Sequence, residues 1–301
     1  MLARSLQIVV LCVLAGVVAL FSAVWNRSPL ASLAVPIGAV ICFSGFVLVQ
    51  FLMMCLTNGR NSVARPSNGQ LIQAWLGETA VAAKVFLWWQ PFRSVTIADQ
   101  TPSSVYDRHQ RGVVLVHGFI CNRGLWTRWL KTLRRRGIAF AAVNLEPVFG
   151  SIDGYAPIVE EAVHQLTKAT GQPPLLVCHS MGGLAVRAWL RACGDDSRVH
   201  HIVTLGSPHH GTLVGRFAPP IRALVNGEQM RFGCEWLAEL ALHEPSTRAT
   251  RFTCFYSNCD NIVFPGSAAM LDGADNRLIA GVGHLELVSN QQVMDQTLAM
   301  L

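Results

Sequence analysis

Charge is scarce in this 301-residue chain: Asp, Glu, Lys and Arg together make up 14% of it. Two stretches, Leu6 to Trp25 and Leu30 to Leu56, hold no charged residue at all. Such runs do not suit a solvated surface. Each meets the roughly 20 apolar residues needed to cross a hydrocarbon core of about 30 Å. A cysteine framework is also missing. The nine Cys are scattered: Cys12, Cys42 and Cys55 fall in the apolar runs, and the other six lack zinc-ligand spacing. This argues against a disulfide scaffold and against a zinc site. A Cys254–Cys259 or Cys234–Cys254 bridge stays open if the domain faces an oxidising compartment. The net charge of +6 is modest, and Arg134-Arg135-Arg136 is the one dense basic run. It ends a surface helix, where cations suit the macrodipole. With no interleaved aromatics and no nucleic-acid motif, nucleic acid is excluded as a partner.

What is present begins with hydrophobicity. The mean hydropathy is +0.36, and the excess sits in the first sixty residues. Trp25-Asn26-Arg27-Ser28-Pro29 tightly connects the two apolar runs, so residues 1–57 are expected to form a transmembrane helical hairpin. Arg4 precedes the first run, Arg27 lies in the turn, and Arg60 and Arg65 follow the second. The positive-inside rule then favours both ends in the cytoplasm. The alternative is a signal peptide with Arg4 as its n-region and cleavage near Ala23, which leaves the second run as a lone anchor. Residues 58–110 read as a polar linker followed by an amphipathic helix over Leu71 to Trp89, packed on the body or lying at a membrane interface.

From residue 111 onward short apolar strands alternate with helical segments. Strands are expected within Arg111–Ile120, ending in His117-Gly118-Phe119, and at Ile138–Leu145, Leu175–Val177, Val199–Leu205, Phe252–Ser257 and Arg277–Ala280. Helices are expected over Asn122–Arg136, Ile152–Thr170 and the segment after Ser180. The alternation predicts a mostly parallel sheet in a three-layer α/β domain, with its site at the carboxyl ends of the strands. Residues 213–248 break the rhythm and are expected to form a small cap, whose apolar residues line a cleft or merely pack.

One stretch organises the chemistry. Leu175 to Val177 is a buried strand; Cys178-His179-Ser180-Met181-Gly182 turns sharply, and a helix follows. Strand, tight turn and helix with Ser at the apex is the context of a nucleophile elbow. The first motif position holds Cys178 where Gly is usual, a small apolar substitute. His117-Gly118-Phe119 ends an earlier strand, so the backbone N–H groups of Phe119 and Met181 are the expected oxyanion donors. A serine hydroxyl needs a base, and the base needs a carboxylate to fix its tautomer. Asp260 follows a strand and His284 follows the last one, giving the chain order Ser180, Asp260, His284. Asp272 and Asp275 are the rival acids; His179, His209, His210 and His243 are the rival bases.

These residues, with Gly206-Ser-Pro-His-His-Gly-Thr212 and Gly283-His284-Leu285, resemble those of the α/β-hydrolase superfamily, and more narrowly of bacterial triacylglycerol lipases and esterases. The resemblance runs from about Gly112 to the C-terminus and leaves out the hairpin. It implies a serine hydrolase acting on acyl or lipid esters through an acyl-enzyme and needing no cofactor; the apolar hairpin adds the expectation of a membrane-anchored enzyme of a bacterial inner membrane. Some similar lipases hold calcium near the catalytic His. Glu286 stands two positions after His284, but no second ligand is evident, so no metal is expected. A thioesterase, amidase or acyltransferase would use the same triad. The other class open to the chain is a non-catalytic membrane scaffold that keeps the fold.

Overall fold

The computed structural model describes residues 1–57, 63–102, 110–216 and 224–301. Parts of the expected linker (58–62, with Arg60), of the segment before the α/β domain (103–109) and of the expected cap (217–223, with Pro219-Pro220) lie outside the described residues.

Two helices open the chain. Helix α1 spans Leu2–Trp25. Ser28 then caps a single helical turn, α2 (Pro29–Ser32), with its hydroxyl accepting the Ala31 N–H. Helix α3 follows at Ala34–Thr57. Both apolar arms are long and apolar enough to cross a membrane. The stretch expected as a helix over Leu71 to Trp89 instead begins earlier and ends sooner, as α4 (Asn68–Lys84). It starts in a capping box in which Ser67 and Gln70 satisfy each other's exposed N–H groups. A π-helical turn at Val85–Trp89 and a short α5 (Gln90–Phe92) extend it.

The α/β body carries β1 (Val113–Val116), α6 (Thr127–Arg135), β2 (Phe140–Ala142), α7 (Ala156–Thr170), β3 (Leu175–His179), α8 (Met181–Cys193) and β4 (His201–Leu205). It continues with α9 (Val225–Gln229), α10 (Glu235–Leu242), β5 (Phe252–Tyr256), β6 (Asp275–Leu278), α11 (Glu286–Ser289) and α12 (Gln291–Leu298). The six strands pair in the order β2-β1-β3-β4-β5-β6, every neighbour parallel. Strand order reverses between β1 and β3, and the carboxyl ends flanking such a reversal are where open α/β sheets bind ligands.

Both faces of the sheet are covered, which is why its strands read as unbroken apolar runs. Val113, Leu115, Leu175 and Val177 pack with Trp126, Trp129, Leu133 and Met294 on one side. Val114, Val116, Leu176 and Cys178 pack with Val159, Val163, Leu184 and Trp189 on the other. Each fully buried aliphatic side chain there contributes about 1.5–3 kcal/mol. Cys178 is wholly buried, so its small side chain serves at the position where Gly is usual. All nine cysteines are free thiols.

Candidate active site

Ser180 sits between β3 and α8 with φ 53° and ψ −127°. A non-glycine residue with positive φ carries backbone strain, and the surroundings must hold it there. Its own N–H is tied to the Leu205 carbonyl at 3.0 Å. Two residues on, a Cβ at Gly182 would lie 2.3 Å from the Val116 carbonyl oxygen. Only glycine lets α8 start that close to β1.

Asp260 and His284 meet. Asp260 Oδ2 lies 2.8 Å from His284 Nδ1. Its other oxygen accepts the N–H groups of Ile262 (2.9 Å) and Val263 (2.7 Å). The carboxylate is thus held in one orientation from both sides. Both residues are buried, and Gly206, at φ 57°, makes room for them: a Cβ there would stand 2.8 Å from Asp260 Oδ2 and 3.1 Å from His284 Nδ1. Burial alone would lower the His284 pKa. The charge and hydrogen bond of Asp260, helped by the charge of Glu78, outweigh it, so the imidazole titrates above its ordinary value.

Ser180 and His284 line one cavity of about 410 Å³, walled almost wholly by apolar side chains. Among the described residues no hydrogen bond joins Ser180 Oγ to the imidazole. Phe119, the other expected oxyanion residue, lines the same cavity, and Met181 begins α8 beside Ser180. Among the described residues neither Phe119 N–H nor Met181 N–H donates to a protein acceptor. Ile120, next to Phe119, also has positive φ, at 51°. That is a strained conformation for a β-branched residue.

Of the rival residues, only His179 among those described lines this cavity. Asp275 is exposed and paired with Arg277 at 2.7 Å. Asp272 is exposed on a separate cleft beside Arg187 and Phe232. His243 is exposed and bonds to the Glu239 carbonyl. His209 is buried against Thr204, 3.1 Å away. His179 does line the cavity, with its ring 4.5 Å from that of His284. Burial and the neighbouring His284 hold its pKa well below the usual histidine range. His117 accepts the Leu145 N–H at 3.0 Å and lies 2.9 Å from the Gly118 carbonyl, a structural pairing; burial lowers its pKa to about 4. Glu286 accepts the Gly283 N–H at 3.1 Å.

Two further residues at the site are not among those expected from the motifs. Glu78, on α4, is buried and accepts the N–H groups of Leu285 (2.9 Å) and Glu286 (3.0 Å), directly after His284. Burial pushes its carboxyl up to about 7 against the pull of His284 and those two donors. Gln50, on α3, accepts from Asn261 Nδ2 at 2.6 Å, while Asn261 Oδ1 accepts the His284 N–H at 3.1 Å. An acid on the apolar side of an amphipathic helix and an amide inside an apolar run are the available sequence signals.

Residues 112–259 match the family model described as palmitoyl protein thioesterase, just under half of the chain. The stretch holds Phe119 and Ser180 but stops one residue short of Asp260. Among solved structures, the mature form of the Bacillus licheniformis lipase BlEst2 aligns at 15% identity with a TM-score of 0.55, covering 67% of this chain and 96% of that one. Its propeptide form aligns at 15% identity with a TM-score of 0.57, covering 67% of this chain and 53% of that one. With the six-stranded parallel sheet, these likenesses establish an α/β-hydrolase, lipase/esterase-like fold preceded by two long apolar helices.

Proposed function

We propose that the chain is a membrane-anchored serine hydrolase that cleaves acyl or lipid esters. The observation that supports the reading is the buried Asp260–His284 pair, whose imidazole lines the same apolar cavity as Ser180. In the reaction, His284 takes the hydroxyl proton as Ser180 Oγ bonds to the acyl carbon. The N–H groups of Phe119 and Met181 hold the oxygen as it becomes negative. His284 then hands its proton to the departing alcohol, and the acyl-enzyme forms. Water, activated by the same imidazole, releases the acid and restores Ser180. Asp260 keeps Nδ1 protonated and stabilises the imidazolium. The hairpin anchors the enzyme in the membrane, and the positive-inside rule, applied to Arg4, Arg27, Arg60 and Arg65, favours the cytoplasmic side for the catalytic body.

Labelling with a fluorophosphonate, with p-nitrophenyl esters of increasing chain length as substrates, tests the chemistry. The full chain should be labelled and should prefer longer acyl groups; Ser180→Ala should be inert to both. Labelling that survives in Ser180→Ala removes Ser180 as nucleophile. A wild-type chain that neither labels nor turns over is a scaffold. Protease protection in sealed vesicles tests the side: cleavage of the body from the outer face would overturn the cytoplasmic assignment.

A second reading, thioester hydrolysis, is favoured by the similarity to the palmitoyl protein thioesterase model. The triad chemistry is the same and only the leaving atom changes. Comparing kcat/KM on an acyl ester and an acyl thioester of equal chain length decides between them.

A further inference from the structure

The walls of the catalytic cavity do not all come from the α/β body. Phe43, Phe46, Val47 and Gln50 of α3 line it, together with Glu78 and Phe86 from α4 and the turn after it. Helix α3 is therefore part of the site. Its second half is docked on the body: Val47, Phe51 and Met54 are buried beside Ala74, Cys259 and Phe264, and the Trp75 indole donates to the Ser44 carbonyl at 3.0 Å. Phe46 faces two ways. It lines the cavity, yet 66% of it remains exposed.

The depth of these residues in a bilayer follows from helix geometry. A hydrocarbon core of about 30 Å takes roughly 20 helical residues. Counted from the start of the hairpin's second arm at Pro29, that length runs to about Leu48. Phe43, Phe46 and Val47 then lie just inside the hydrocarbon edge, and Gln50 lies just beyond it, where an amide is tolerated. On that count the part of the cavity wall formed by Phe43, Phe46 and Val47 would face the acyl layer.

We propose that the face of α3 bearing Phe43, Phe46 and Val47 seats the acyl chain of a bilayer-resident lipid, which slides to Ser180 from the membrane and not from water. The proposal rests on Ser180 being the nucleophile. The second hairpin helix is both anchor and binding wall. The preference for long chains resides in it as well as in Val214 and Met230, which line the same cavity.

The test uses the full-length chain in phosphatidylcholine vesicles and a hexadecyl fluorophosphonate with a diazirine near the end of its tail. Phosphonylation forms a bond from Ser180 Oγ to phosphorus, expels fluoride and sends the hydroxyl proton to His284. Ultraviolet light then fixes the tail to whatever it touches, and peptide mapping locates the adduct. The expected result is a phosphonylated Ser180 with tail adducts between Phe43 and Gln50. A labelled Ser180 whose tail adducts fall only on other elements overturns the proposal and leaves the hydrolase reading standing. An unlabelled Ser180 overturns that reading.

Two further measurements bear on the seat and on the route. Phe46→Trp should lower the ratio of sixteen-carbon to four-carbon ester turnover about tenfold, with far-UV circular dichroism verifying the fold; an unchanged ratio counts against the seat. A long-chain lipid ester placed in the enzyme's own vesicles should be consumed at least about tenfold faster than in separate vesicles. Equal rates would mean that the chain arrives through water.

Discussion

The candidate site is assembled from two regions of different character. One is the sheet, whose strand ends carry Ser180, Asp260 and His284 within a core closed on both faces. The other is the N-terminal helical layer, which lends Gln50, Glu78 and an aromatic wall. The first holds groups whose bonds change in the proposed reaction. The second holds groups that touch the first: Glu78 grips the backbone after His284, and Gln50 holds the side chain that holds His284 N–H. In the proposed enzyme the reacting groups and the groups that adjust them thus come from separate regions, and substitutions should sort by region.

The largest effects should fall on the sheet. Ser180→Ala should cost about 10⁴-fold or more in kcat, read from ester turnover with the fold verified by circular dichroism. Asp260→Asn, which leaves His284 without its anionic partner, should cost about 10⁴-fold in the same assay. A loss of only a few-fold in either would end the division, because the strand ends would no longer be special.

The helical layer should answer more mildly and in a different observable. Glu78 raises the His284 pKa through its charge, and His284 must be neutral to accept a proton, so activity appears as pH rises through that pKa. Glu78→Gln removes one raising influence. The acid limb of the kcat/KM profile should therefore move to lower pH, while kcat on the plateau falls about tenfold or less. An acid limb that stays in place or moves upward would show that Glu78 acts only as a backbone clamp. Gln50→Leu should be smaller still. It deprives Asn261 of one acceptor, a loss of about 1–3 kcal/mol for a buried donor, and should lower kcat/KM up to about tenfold at unchanged pH profile. The comparison sharpens inside the hairpin itself. Leu14→Ala, on the exposed face of α1, should change turnover less than Gln50→Leu, since among the described residues of α1 only Val10 is buried. If both arms respond alike, α3 has no special place at the site.

Much of the sheet was legible because its signals are local. Leu175 to Val177 is a compact apolar run bounded by Pro174 and by a turn, and the structure extends it only to His179. The strand expected over Ile138–Leu145 shortens to Phe140–Ala142, because the apolar flanks Val143 and Leu145 pack as loop. The last strand slides to Asp275–Leu278, an edge with one exposed side where polar residues pair as well as apolar ones. Asp260 and His284 could be named from chain order, and the structure brings that pair together. Glu78 and Gln50 could not, because their partners lie 207 and 211 residues away. Local pattern carries no information on which helix face will meet which loop. The aromatic wall was hidden for a related reason: an apolar side chain on a membrane-crossing run looks the same whether it faces lipid or a cavity.

The link from Gln50 through Asn261 to His284 also bears on how the molecule comes into being. Contacts between such distant parts of a chain form late, since a long loop must close before they repay its lost freedom. The imidazole is therefore seated only when the earliest helices have docked against the last loops. On gentle heating, turnover should fade while the six strands still give their full far-UV signal, because the corner closed last is the first to open.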